Sequence, residues 1–164
     1  MTQLILDACC GSRMSWYDKD NPLAVFMDNR KLDETLCDGR RLVVSPDIVG
    51  DFRNMPFSDE SFYLVLFDPP HMRQLGAGSW TAKKYGVLLP TWREDLRAGF
   101  EECFRVLKPN GTLVFKWSDV QIPFDDVLKL ALPHKPLFGH RRRRGKYETI
   151  WSVFFKEAKF NENA

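Results

Sequence analysis

The chain has 164 residues, 44% of them hydrophobic and 28% charged, and a formal net charge of +2. That balance describes one globular domain long enough to bury a sizeable core, and excludes disordered, collagen-like and coiled-coil chains. No apolar run approaches the ~18 residues of a membrane span and the start has no signal-peptide pattern, so a cytoplasmic protein without a membrane anchor is expected.

Residues 4–6 are apolar and end in Asp7, which reads as a strand entering the tight turn 8–12. A short helix is predicted over 13–17, stopped by Asn21-Pro22. A second strand over 24–27 ends in Asp28, and a weak third covers 47–52. Residues 62–67 (FYLVLF) form a continuous apolar run of the kind found in strands buried on both faces. The prolines of Asp68-Pro69-Pro70-His71 stop that strand. Residues 72–92 lack a clean period and read as a long mobile loop. Over 93–107 a helix is predicted, with Leu96, Phe100, Cys103, Phe104 and Leu107 on one face and a stop at 108–111. A fifth strand covers 112–117 and a helix 124–132. Two last strands, 135–138 and 149–155, flank a basic loop. Trp117, Trp151, Phe154 and Phe155 are assigned to the core. Strands alternating with helices predict an α/β domain over 1–158: a Rossmann-like, mostly parallel seven-stranded sheet with helices on both faces. The last two strands, joined without a helix, place an antiparallel strand near one edge. Residues 159–164 read as a short tail.

The cysteines, Cys9, Cys10, Cys37 and Cys103, form neither a C-x-x-C pair nor a disulfide framework, so reduced thiols and no metal are expected. Charge is uneven. Six basic residues and no acid lie between Lys135 and Lys146, leaving 18 basic against 22 acidic residues elsewhere. Arg141, Arg142, Arg143, Arg144 and Lys146 therefore read as an anion site, with phosphate the natural ligand because guanidinium groups pair with it bidentately.

Asp7, Asp28, Asp51 and Asp68 all stand at predicted strand ends, where ligands bind in open α/β sheets. The first turn has only Gly11 and is not G-x-G-x-x-G. No G-x-x-x-x-G-K-[ST] occurs either, so dinucleotide and Walker-type nucleotide sites are excluded. What remains is a one-glycine turn opened by an acid, with a second acid 21 residues on. Asp28 is placed to accept from two ribose hydroxyls, and Asp7 to meet a cation. A ligand with a ribose, an ammonium and no phosphate fits S-adenosyl-L-methionine (SAM).

These residues resemble a known family. The run Asp7-Ala8-Cys9-Cys10-Gly11 is similar to motif I of class I SAM-dependent methyltransferases, in a Cys-Gly variant found among enzymes that methylate amino groups of nucleic acids. Asp28 matches the family's ribose-binding acid, and Asp51-Phe52 resembles the site that contacts the cofactor's adenine. Asp68-Pro69-Pro70-His71 resembles the [DN]-P-P-[YFW] motif of N6-adenine and N4-cytosine methyltransferases, with His71 in the aromatic position. Residues 105–111 resemble the turn before strand five. The likeness spans roughly residues 3–119 and implies the class I methyltransferase fold, SAM as cofactor and a base amine as substrate. Asp68 and Pro69 would accept from that amine, Pro70 would stiffen the turn and His71 would stack on the base. The size is that of the small phage and prophage enzymes of this kind.

The resemblance further implies DNA or RNA as partner, gripped through phosphates by the arginines and through bases by Trp80, Tyr85 and Trp92. The helix that precedes motif I in this family has no counterpart in the sequence, so a partner subunit or homodimer is expected to complete the cofactor lid. Two other readings stay open: a methyltransferase for a small-molecule or protein amine, and a non-catalytic module that keeps the fold.

Overall fold

A computed structural model describes residues 3–76 and 79–158. The tail expected over 159–164 lies outside them. In chain order the elements are β1 (Ile5–Asp7), β2 (Ala24–Asp28), β3 (Leu32–Thr35), β4 (Arg41–Val44), β5 (Ile48–Val49), β6 (Phe62–Phe67), α1 (Trp80–Tyr85), α2 (Trp92–Val106), β7 (Leu107–Ser118), α3 (Phe124–Leu128), a 3-10 turn (Lys129–Ala131), β8 (Phe138–Arg144) and β9 (Tyr147–Phe155). Seven strands form one sheet in the order β5-β2-β1-β6-β7-β9-β8. The pairs from β5 to β7 are parallel, and β9 runs antiparallel to both of its neighbours. The expected mostly parallel sheet with an antiparallel strand near one edge is therefore observed. Strands β3 and β4 pair separately as a hairpin.

Alternation along the strands divides the sheet into two faces. Leu6, Val25, Met27, Val65, Phe67, Leu113, Phe115, Trp117, Ile150 and Phe154 belong to one core cluster with α2 and α3. On α2 the buried residues Trp92, Leu96, Gly99, Phe100, Cys103 and Phe104 recur at helical spacing. Glu94 and Asp95 in its first turn and Arg105 in its last complement the helix dipole. The aromatic rings interlock, with Phe67 edge-on to Phe100 at 5.4 Å and Phe100 to Phe115 at 4.9 Å.

Close approach of α2 to the sheet depends on Gly99. A Cβ there would stand 2.7 Å from both the Phe52 and Phe67 rings. Gly99→Ala is expected to destabilise the fold by about 1–2 kcal/mol, because overpacking exceeds the ~1 kcal/mol that alanine adds to helix propensity. Chemical denaturation checks this, and a stabilised variant would show that the rings yield freely.

Several elements differ from the sequence prediction. Residues 13–17 form turns rather than a helix, and Trp16 from that segment packs edge-on against Phe26 on the second sheet face. The third strand shrinks to Ile48–Val49. The β3–β4 hairpin has no counterpart among the predicted elements, and residues 72–92 contain α1 rather than loop alone. Residues 108–111 do not end a helix–strand turn but form an irregularity inside β7, with Asn110 at φ 63° and a register shift opposite Phe62–Leu64. The helix over 124–132 ends at Leu128 and continues as the 3-10 turn. The strand expected over 135–138 is instead Phe138–Arg144, so the arginine run is itself a strand rather than a loop. Trp117 and Phe154 are core residues as expected, whereas Phe155 is exposed and Trp151 half-buried.

Candidate functional site

Strand order reverses at β1, which lies between β2 and β6 while the chain runs from β1 to β2. A crevice opens there beyond the carboxyl ends of the strands. The parallel register puts Asp7 at the end of β1, Asp28 at the end of β2 and Asp68 just past β6, so all three converge on it. Two small lobes occupy the crevice, of about 90 and 160 Å³. Asp7, His71 and Lys116 line the first. Asp28, Gly50 and Phe52 line the second, and Cys9, Arg30, Asp68 and Tyr85 line both. Ala8 and Pro70 border the second lobe and Pro69 the first. A broader basin of about 570 Å³ lies alongside, against Gly11, Arg13 and the β3–β4 hairpin, but none of the three strand-end acids reaches it.

Asp7 is buried, accepting from the Cys9 amide at 3.3 Å and the Trp16 indole N–H at 2.7 Å. Desolvation outweighs those two bonds, and the nearby Asp68 and Asp28 charges add to it, so the carboxyl is pushed up to about 7. Asp28 is equally buried but differently served. Its Oδ2 accepts from the Gly11 amide at 2.9 Å and from Arg30 Nη2 at 3.1 Å. Its Oδ1 accepts from the Arg30 amide at 3.0 Å and from Arg30 Nε at 2.9 Å. Those four bonds fill the acceptor sites of a carboxylate. Gly11 sits at φ 50°, a conformation that favours glycine, and so turns its N–H toward Asp28. Arg30 also donates to the Lys83 carbonyl at 2.9 Å, tying α1 to the crevice.

The Asp68 carboxylate accepts from Lys116 Nζ. His71 lies with its ring centroid 5.8 Å from Tyr85 and 6.1 Å from Trp117. Burial pushes its imidazole below the ordinary histidine value, opposed by Asp68 and assisted by Lys116, so the ring is neutral at pH 7. Burial raises the Cys9 and Cys103 thiols well above their usual value and Cys10 to about 12. These are inert thiols, and all four cysteines are free.

The remaining sequence candidates scatter. Phe52 lines the second lobe, edge-on to Phe67 at 5.4 Å. Asp51 turns away to Arg53, whose guanidinium holds the carboxyl below its usual range. Trp80 lies on α1 outside both lobes, near Lys84 and Arg40. Trp92 is a core residue, buried with its indole N–H unpartnered, so it is no surface contact for a base. Tyr85 does reach the crevice.

The basic segment does not form one cluster. Pairing of β8 with β9 makes Arg141, Arg142 and Arg143 alternate across the sheet. Arg141 pairs with Glu148 at 3.4 Å and lies 5.5 Å from the Phe124 ring, on the helix side. Arg143 donates to the Gly145 carbonyl, and Lys146 stands 5.0 Å from the Tyr147 ring. Three residues of the crevice escaped the sequence reading. Lys116 left a signal, being the one charge inside the apolar alternation of 113–117. Arg30, two residues after Asp28, left a weak one, and Trp16 none. Among the described residues no helix is long and apolar enough to cross a membrane.

No protein-family model matches the chain, and no curated protein matches it in sequence. Solved structures do match in fold. A SAM-dependent methyltransferase from Methanosarcina mazei aligns over 97% of this chain and 95% of its own, with a TM-score of 0.57 at 10% identity. A 1,6-didemethyltoxoflavin-N1-methyltransferase from Burkholderia thailandensis, solved with S-adenosylhomocysteine, aligns over 94% and 71%, with a TM-score of 0.56 at 11% identity. The PH0226 protein of Pyrococcus horikoshii aligns over 93% and 81%, at 0.55 and 17%. The fold is the Rossmann-like fold of SAM-dependent methyltransferases.

Proposed function

We propose that this chain is a SAM-dependent methyltransferase acting on the exocyclic amine of adenine or cytosine in nucleic acid. The observation that carries this reading is the convergence of Asp7, Asp28 and Asp68-Pro69-Pro70-His71 on one crevice at the strand-order reversal. The crevice suits the cofactor. A desolvated carboxyl raised to about 7 gains most from a cation, and Asp7 is such a group. Phe52 and Val87 offer an apolar wall in the second lobe, and Asp28 a carboxylate for a ribose diol. SAM would supply the methyl group as a sulfonium substituent.

The chain's own residues prepare the amine. An exocyclic NH2 is a poor nucleophile because its lone pair is delocalised into the ring. Donation of its two N–H groups to the Asp68 carboxylate and the Pro69 carbonyl draws the nitrogen toward tetrahedral geometry and frees that pair. Lys116 fixes the orientation of Asp68, and the two prolines stiffen the turn that carries it. The neutral His71 ring offers a stacking face beside Tyr85.

Calorimetry with SAM and S-adenosylhomocysteine, supported by thermal shift, is the direct test. Both ligands are expected to bind, and saturation at about a hundredfold over Kd adds about 2.7 kcal/mol of stability. Protein shown free of retained cofactor that binds neither would overturn the reading. Bound cofactor with transfer only to free amines, insensitive to salt, would move the substrate away from nucleic acid.

Arg30 gives a sharper expectation. It satisfies Asp28 and, with Cys9, Asp68 and Tyr85, borders both lobes, which are smaller than the ~300–1,000 Å³ usual for small-molecule pockets. A ribose diol must displace it. Arg30→Ala is therefore expected to raise SAM affinity several-fold while lowering Tm, since the buried Asp28 keeps its two backbone donors but loses the guanidinium. Weaker binding in calorimetry would mean that Arg30 itself holds the ligand.

A further inference from the structure

The second face of the sheet is open over β7, β9 and β8, and strand register defines what it presents. Opposite residues on paired strands share a face, so Val114, Val153 and Phe138 form one rung. The next rung toward the crevice is Lys116, Trp151 and His140, and beyond it lie Ser118, Thr149 and Arg142. Phe155 pairs with Thr112 on the same face. The face is uncovered among the described residues: Phe138 is 68% and Phe155 40% exposed, and Trp151, Val153 and Val114 are only half-buried. Lys116 links it to the crevice, because its ammonium contacts Asp68 and lies 5.4 Å from the Trp151 ring.

Two features identify what would lie there. The face combines aromatic rings with cations, and none of its rung residues on β7, β8 and β9 is an acid. Glu148 stands opposite Arg143 and pairs with Arg141, both on the helix side. Flat rings accept bases by stacking whatever their sequence, and adjacent cations follow the phosphates. The rung from Asp68 to His140 crosses three strand spacings, about 14 Å at ~4.8 Å each. That is the length of roughly four stacked nucleotides at 3.4 Å per residue.

We infer that this open face is a docking platform for single-stranded nucleic acid, which crosses the sheet from the β8 edge and delivers a base to Asp68. This rests on the proposed activity and deepens it, because it names an unpaired strand as the substrate form. Trp151 and His140 stack bases, and Arg142 meets the backbone. Arg141 and Arg143, one residue away on either side, face the helices and take no part.

The test exploits that alternation. Fluorescence anisotropy of a labelled oligothymidylate is measured against the full chain without cofactor. His140→Ser with Arg142→Ala, both exposed and structurally undemanding, is expected to weaken binding about tenfold and to flatten its salt dependence. Arg141→Ala with Arg143→Ala, removing more positive charge from the same strand, is expected to change it less than twofold. Trp151→Ala, with its fold verified by circular dichroism, is expected to weaken it about tenfold as well. Equal losses in the two double variants would overturn the platform in favour of diffuse charge. Loss in neither, or a wild-type dimer that Trp151→Ala dissociates in sedimentation, would also overturn it, the dimer by assigning the face to a second copy. SAM calorimetry on the same protein separates the two readings. Bound SAM with a failed face leaves the methyltransferase standing, and bound oligonucleotide without SAM leaves the face standing.

Discussion

Asp68→Ala is expected to abolish methyl transfer, by roughly 10²-fold or more, while SAM affinity stays within a few-fold. Asp68 borders both lobes but is held by Lys116, from β7, and not by any group that serves Asp28. Its removal takes away the acceptor that orients the amine and leaves the Asp28 hydrogen bonds untouched. Asp68→Asn is the control for shape: it keeps the volume but turns an N–H toward Lys116 or the amine, so activity should fall nearly as far. Single-turnover transfer, with cofactor binding measured in parallel, reads the two quantities separately. Retained activity in either variant would remove Asp68 from the chemistry, and a matched loss of SAM binding would make it a cofactor residue instead.

The second large effect concerns Asp7 and pH. Its native value of about 7 stands above the 3.8 of an ordinary aspartate. Below about pH 4 both native and unfolded chains hold the proton, and the group does not affect stability. Between about 4 and 7 the unfolded chain has released it and the native chain has not, so stability falls as pH rises. Above 7 the full cost is present, on the order of 4 kcal/mol. His71 and His134 work in the opposite sense, because burial lowers both and the unfolded imidazoles charge first as pH falls. Their contribution cancels when wild type is compared with Asp7→Asn. The variant is expected to gain stability relative to wild type by on the order of 2–3 kcal/mol between pH 5 and pH 8. Urea denaturation at the two pH values measures this, and an unchanged difference would place Asp7 in an ordinary ionised state. SAM, carrying positive charge to the same carboxyl, should bind more tightly as pH rises toward 7 and then level off.

Much of the fold was legible because central strands and the packed helix carry their apolar residues in runs or at a regular period. Residues 24–27 and 62–67 show this as apolar runs and α2 as a stripe at helical spacing, and three of the four strand-end acids, Asp7, Asp28 and Asp68, border the crevice. Short or locally polar elements left no such trace. The hairpin of Leu32–Thr35 and Arg41–Val44 buries only Leu42 and Val44, with Leu32 packed against them, between exposed residues, and β5 is only two residues long. Consecutive charges normally mark a loop, yet the arginine run is a strand, because an edge strand tolerates charge on both faces. Within the crevice, Asp7 and Asp28 were visible as residues but their states were not. Arg30 closes onto Asp28 through its own backbone turn, and Trp16 reaches Asp7 from a segment with no periodicity. Such partnerships depend on loop geometry, which sequence spacing does not encode.

Strand β8 ends the sheet, and among the described residues it pairs only with β9, so no described strand lies beyond its outer backbone groups. Exposed edges of this kind template the addition of further strands and are a common start of aggregation. A run of arginines along the edge opposes that outcome, since a second β8 laid against it would bring cation against cation. The opposite edge is guarded differently, by the brevity of β5. The protein should accordingly stay dispersed at low ionic strength and lose solubility when salt or polyphosphate screens the arginine edge, well before its core unfolds.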